Sequence, residues 1–184
     1  DDHGAADGPQ HGRLGPGEGD MRYLVPAGRT FDISDVPALR RELAPAADSA
    51  AVVRVFQLLR AFRPAIVHTH MAKAGAVGRT AALLYNATAG RRAPARLVHT
   101  YHGHVLDGYF STLAARGFTA MERILGRRTD ALIAVSPRVR ADLLERYQIG
   151  TADRFHVVPL GFDLTLLASL SGDDRSAARA ALGL

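Results

Sequence analysis

The 184-residue chain contains no cysteine. Disulfide bonds and thiolate metal sites are therefore excluded, and a cytoplasmic setting fits. No run of about 18 apolar residues occurs, so no transmembrane helix is expected. No segment has the pattern of a secretory leader. Lysine occurs once, as Lys73, among 23 Lys and Arg residues. Basic runs never exceed two residues, at Arg40–Arg41, Arg91–Arg92 and Arg127–Arg128, and no motif interleaves basic with aromatic side chains. The net charge of +5 and isoelectric point near 10.2 therefore suit phosphate-bearing ligands or an anionic membrane surface, and nucleic acid is not expected as a partner.

What the chain does contain is a regular alternation. Hydrophobic residues make up 47%, ample for a real core, and the length suits one domain with tails. Residues Asp1–Asp20 are glycine-rich and polar with no apolar period, and read as a loosely attached tail. Arg22–Val25 reads as a short strand. An amphipathic helix is expected next, with Val52, Val55, Phe56 and Leu59 on one face and Asp48 or Ser49 as N-cap; Pro64 ends it. Four apolar strands follow: Ala65–His70, Arg96–Tyr101, Ala131–Ser136 and Phe155–Pro159. Helices near Gly75–Thr88, Leu113–Arg127 and Pro137–Tyr147 separate them, the last with Ser136 and Pro137 in favoured N-cap and N1 positions. A short helix with an acidic first turn lies within Gly172–Leu184. This alternation predicts an α/β fold, a Rossmann-like parallel sheet with helices on both faces.

Five of the eight histidines crowd into two stretches: His68 and His70 in "AIVHTHMAKAG", and His99, His102 and His104 in "RLVHTYHGH". In an open α/β sheet, ligands bind at the carboxyl ends of the strands. Every unusual cluster of this chain falls at such an end, so the histidines are expected to terminate the core without entering it. Gly103 permits a sharp backbone turn or the close approach of a ligand. His102 and His104 offer imidazoles to a phosphate or hydroxyl, and Tyr101, Tyr109 and Phe110 offer flat faces to a sugar or lipid. His68, inside the apolar run, reads as structural, and His70 at the strand end as a contact for ligand. Lys73 and Arg79 flank a glycine-bearing helix start, where backbone N–H groups favour anions. Helix packing explains Gly75 and Gly78 equally well, and no Walker loop is present. Ser136 and Arg138 open another helix, where capping alone accounts for the serine; Gly161 marks a turn after the last strand.

The segments "RPAIVHTHMAKAGAVGRTAA", "RLVHTYHGHVLDGYFS", "RRTDALIAVSPRVRADLL" and "FHVVPLGFDL", in this order, resemble the N-terminal domain of glycosyltransferase family 4, over roughly Ala51 to Leu184. The resemblance implies the N-terminal half of a GT-B fold, in which two Rossmann-like domains face each other across a cleft. The first mainly holds the acceptor; the second mainly holds the nucleotide-sugar and carries a pair of glutamates. It implies a retaining glycosyltransferase of the hexosyltransferase type, moving a sugar from a nucleotide-sugar to a glycan or lipid-linked acceptor, as in polysaccharide biosynthesis. On His102 it places the role of the family's "HG" histidine, which contacts the donor sugar or diphosphate near the reacting centre. Acceptor or donor-phosphate binding then falls to His70, Lys73, Gly75, Tyr101, Gly103, His104, Ser136, Arg138 and Gly161. No metal or bound cofactor is expected, the nucleotide-sugar being a co-substrate, and contact is expected with the cytoplasmic face of a membrane.

The chain departs from the family pattern in three places. The glycine-rich loop after the family's first strand, and the strand before it, have no counterpart, and Leu160 stands where the family often has asparagine. The expected organisation is a tail over 1–20, a partial Rossmann-like domain over 21–163, and the start of a linker to a C-terminal domain over 164–184. Such a piece is expected not to transfer sugar alone. Two other readings remain open. One is a metal-dependent hydrolase, because "VHTH" resembles the H-x-H start of barrel amidohydrolases and Asp107 is nearby, although a full barrel needs about 250 residues. The other is a non-catalytic module that binds a phosphorylated or lipid-linked ligand on the same rim.

Overall fold

The structure, a computed structural model, describes residues 34–40, 44–103, 112–161, 165, 169 and 171–183. The expected tail over 1–20, the strand expected over Arg22–Val25 and the candidate site residue His104 lie outside the described residues. Helix α1 (Pro45–Phe62) leads to strand β1 (Ile66–His70), helix α2 (Ala72–Ala87), strand β2 (Arg96–Tyr101) and helix α3 (Thr112–Arg128). Strand β3 (Ala131–Ala134) then leads to helix α4 (Pro137–Ala141), which continues as a π-helical turn over Asp142–Arg146. Strand β4 (Phe155–Val157) and helix α5 (Gly172–Ala181) complete the described elements.

The four strands pair in parallel in the order β1-β2-β3-β4. The α/β, Rossmann-like parallel architecture thus follows the alternation of apolar strands and helices. Its register puts Val67, Thr69, Leu97, His99, Tyr101, Leu132, Ala134 and Phe155 on one face. That face meets α2, α3 and α4. Its core joins Tyr101, Leu132, Ala134 and Phe155 to Val139, Leu143, Tyr147 and Ile149. The expected cover on both faces is met on one of them among the described residues. The reason is topological: four strands stepping in one direction through right-handed crossovers send each connecting helix to the same side. The opposite face carries Ile66, His68, Val98, Thr100, Ile133 and His156, and Ile66 is 62% exposed.

Local chemistry sets the element ends. The N-cap of α1 is Ala44, not Asp48 or Ser49; Asp48 instead reaches back one turn, its carboxylate accepting from Ala44 N–H at 3.1 Å. Pro45 at the first helical position displaces the start upstream of the expected cap. Asn86 closes α2 onto β2, donating to Ala95 O at 2.8 Å and accepting from Ala95 N at 2.9 Å. Ser136 caps α4, accepting from Val139 N–H at 3.2 Å. At α5, Ser171 and Asp174 form a reciprocal capping box.

Candidate functional site at the carboxyl ends of the strands

Parallel pairing brings the segments after β1, β2, β3 and β4 to one edge of the sheet, and with them His70, His102, Gly103, Ser136 and Gly161. Two of these meet directly: His70 Nδ1 lies 3.0 Å from His102 Nε2, so one imidazole donates to the other. The His68 ring lies 4.3 Å from that of His70, centre to centre, and His68 Nε2 is 2.8 Å from Thr100 Oγ1. Partial burial, then the neighbouring His68 and His102, lower the pKa of His70. His70 is thereby held toward its neutral form, and the two exposed imidazoles stand hydrogen-bonded at the rim.

Gly103 follows with φ 153°, a conformation that side chains rarely adopt, and open space where a Cβ would stand. Its glycine serves the backbone path rather than a tight fit. Met71 links β1 to α2 with φ 63° and ψ 156°, a strained junction for a residue with a side chain. That junction starts α2 directly after the rim, three residues before the expected Gly75.

The remaining candidates have other partners. Lys73 Nζ sits 2.6 Å from Asp48 Oδ1, so the ammonium faces α1. Gly75 is buried against β2, where a Cβ would overlap His99 Cε1; it permits close helix–strand packing. Tyr101 is buried and donates to Glu122 Oε2 at 2.8 Å. Burial, then the Glu122 carboxylate, raises its pKa. Arg138 and Gly161 are exposed, and a Cβ on Gly161 would meet nothing within 4 Å.

His99 overturns the expectation that the histidines stop at the edge of the core. It is 1% exposed and faces α2. Its Nδ1 lies 2.8 Å from Thr69 Oγ1, which itself donates to Val98 O at 3.3 Å. Burial first, then the Arg79 guanidinium, lowers its pKa to about 3. Arg79 is fully buried; it donates to Gly75 O at 3.0 Å and pairs with Glu122 Oε1 at 2.6 Å. Sequence reasoning gave Glu122 no role, because a single glutamate in a helix pattern carries no signal of its distant partners.

Beneath the rim lies a cavity of about 210 Å³, lined by Met71, His99, Tyr101, His102, Gly103, Phe118, Glu122, Leu143 and Ile149, among others. The rim residues His102 and Gly103 and the network residues Tyr101 and Glu122 share its lining. Among the described residues, no group of three His, Asp or Glu is placed to hold a metal ion, and no helix is long and apolar enough to cross a membrane.

The chain matches the profile of Glycosyltransferase Family 4 over residues 9–166. It belongs to that family. The match begins well before Ala51, where the resemblance becomes legible by eye. The UDP-Gal:alpha-D-GlcNAc-diphosphoundecaprenol alpha-1,3-galactosyltransferase of Escherichia coli is 26% identical over 146 residues, which is 79% of this chain and 35% of that protein. This chain thus spans about a third of the curated relative's length. Among solved structures, a glycosyltransferase from Rickettsia africae superposes with a TM-score of 0.52 at 17% identity, over 82% of this chain and 36% of that one. The sucrose-phosphate synthase of Thermosynechococcus elongatus gives 0.50 at 17% identity, over 79% and 67% respectively. These two likenesses establish the fold, the N-terminal half of the GT-B architecture.

Proposed function

We propose that this chain is the acceptor-side domain of a retaining glycosyltransferase, which moves a hexose from a nucleotide-sugar to a glycan or lipid-linked acceptor. The observation that carries the reading is the His70–His102 pair, 3.0 Å apart on the strand-end rim of a chain matched to Glycosyltransferase Family 4. His102 takes the role of the family histidine beside the reacting centre. Its ring donates a hydrogen bond to donor sugar or diphosphate, and His70 holds that ring in place. Gly103 lets the backbone turn away so that the imidazole stands clear of the sheet. The E. coli relative is named for a diphosphoundecaprenol-linked acceptor. A similar lipid-linked acceptor suits the basic chain described here and would bring it to a membrane face. Donor recognition belongs to a second domain, so the 184-residue chain binds ligand without turnover.

The test is a nucleotide-sugar turnover assay on the longer protein that carries this chain. His102→Ala is expected to lower kcat by about 10²-fold or more, within the range usual for a positioned proton donor or acceptor. Unchanged kcat in a folded His102→Ala enzyme overturns the assignment. Robust turnover by the 184-residue chain alone overturns the division of labour between two domains.

A further inference from the structure

The edge of the sheet opposite the rim carries a charge that the glycosyl-transfer reading leaves unused. The segments that enter the four strands, residues 60–66, 88–96, 127–131 and 151–155, hold eight arginines and two aspartates. Part of that charge has a local reason. Helices α1, α2 and α3 end here, each with about half a negative charge at its carboxyl end, and Arg60, Arg127 and Arg128 lie in the last turns of α1 and α3. Arg96 pairs with Asp130 at 3.0 Å, and Arg154 donates to Arg127 O and Thr129 O, each at 2.9 Å. Arg63, Arg91 and Arg92 are left over. They are exposed, and among the described residues no carboxylate pairs with them.

Two of these three line a cleft of about 650 Å³, together with Arg60, Tyr85, Gly90 and Pro94, among others. Three guanidiniums thus surround one hollow whose lining, among the described residues, holds no carboxylate. Their mutual repulsion favours an anion between them, and the planar guanidinium fork matches a phosphate in geometry. The walls are held in place. Asn86 clamps Ala95 with two hydrogen bonds, of 2.8 and 2.9 Å. Gly90 N–H donates to Tyr85 O at 2.7 Å, and a Cβ on Gly90 would overlap the Tyr85 ring. Arg63 closes α1 in the left-handed conformation, φ 51° and ψ 58°, its N–H donating to Leu59 O at 2.8 Å. The volume falls within the roughly 300–1,000 Å³ of small-molecule sites. Strand β2 is six residues long, so the cleft stands roughly 17–20 Å from the rim. A ligand held here takes no part in the chemistry at His102.

We propose that the cleft at the amino edge of the sheet is a second ligand site, which takes a phosphoryl group between Arg63 and Arg92. The same chemistry is offered by the headgroup of an anionic phospholipid and by a soluble phosphorylated compound. In either case the site anchors or regulates and does not react. The proposal is independent of the glycosyl-transfer reading, because it uses no residue of the rim.

The test is calorimetric titration of the 184-residue chain with pyrophosphate. Saturable binding is expected, and Arg63→Asn/Arg92→Ala is expected to bind about tenfold or more weakly. Asparagine is chosen because it tolerates the left-handed backbone of position 63. Arg127→Ala/Arg128→Ala removes the same charge from the same edge outside the cleft and is expected to bind like the wild type, as is His102→Ala. Should the cleft variant misfold, arginine Nε–H NMR shifts of the wild type decide, with Arg63 and Arg92 expected to move. Sedimentation with vesicles then separates the sources. Capture by phosphatidylcholine mixed with phosphatidylglycerol, absent with phosphatidylcholine alone and in the cleft variant, assigns the phosphoryl group to a lipid; failure of capture beside pyrophosphate binding assigns it to a soluble compound. No saturable binding of pyrophosphate overturns the proposal. Equal loss in the two double-arginine variants shows a diffuse field and overturns it, and loss confined to His102→Ala places the anion at the rim and does the same. A single-stranded oligonucleotide that binds more tightly than pyrophosphate marks a nucleic-acid surface and also overturns it.

Discussion

A histidine that folds neutral is a point of attack for acid. His99 has a folded pKa near 3, lowered first by burial and then by the Arg79 guanidinium, against 6.5 for the unfolded ring. Between these values the unfolded chain binds a proton that the folded chain refuses. Stability therefore rises with pH through this window, is complete above about 6.5, and is lost as pH falls toward 3. His99 is expected to add a slope of up to about 1.4 kcal/mol per pH unit. Urea denaturation of wild type and His99→Phe between pH 4 and pH 7 checks this, the variant giving the flatter profile; parallel profiles would refute it. At this scale the sequence was informative in part. Histidines crowded at strand ends announced the rim, and the alternation of a strand was enough to put His68 and His70 on one face. It did not reveal that His99 faces inward, because an imidazole in an apolar run looks the same on either side. What makes the inward place tolerable is Thr69 on the neighbouring strand and the missing side chain of Gly75.

Among the elements, the α4 start was the most legible. Serine followed by proline predicts a cap, and the cap is present in the Ser136–Val139 hydrogen bond. Ser136→Ala is expected to cost about 0.5–2 kcal/mol in urea denaturation, and Ser136→Asp to recover most of it, since aspartate also caps. Equal loss in both variants would show that the hydroxyl acts through something other than the cap. Strand β2 was read to the residue. Strands β3 and β4 end sooner than their apolar runs, at Ala134 and Val157, where the chain turns off the sheet onto the rim. The expected helix over Pro137–Tyr147 divides into an α-helical and a π-helical turn. Its apolar spacing alone does not distinguish the two. Helix α2 starts at Ala72, three residues before the expected start at Gly75: the packing role open to Gly75 is the one it has, and the turn is made upstream by Met71 in a conformation unusual for its type.

Across the whole molecule, one buried ion pair does the joining that the apolar pattern cannot show. Arg79 on α2 and Glu122 on α3 pair at 2.6 Å with side chains 1% and 2% exposed, and Tyr101 adds the end of β2 through its hydroxyl. Removing one partner strands a charge in the core. Arg79→Met is therefore expected to cost about 3–5 kcal/mol, and the double variant Arg79→Met/Glu122→Leu to regain much of that loss. Chemical denaturation of the two variants checks this; a double variant less stable than the single one would refute it. No sequence signal joins residues 43 apart, so this network was invisible, while the sheet that it braces was not. The order of that sheet has a last consequence. Each strand lies beside the one synthesised just before it. β2 finds β1 already made, and β3 and β4 follow in turn. From β1 to β4, assembly can keep pace with the ribosome: each strand after β1 meets its first partner already made, and among the described strands only β1 waits for one still to be translated.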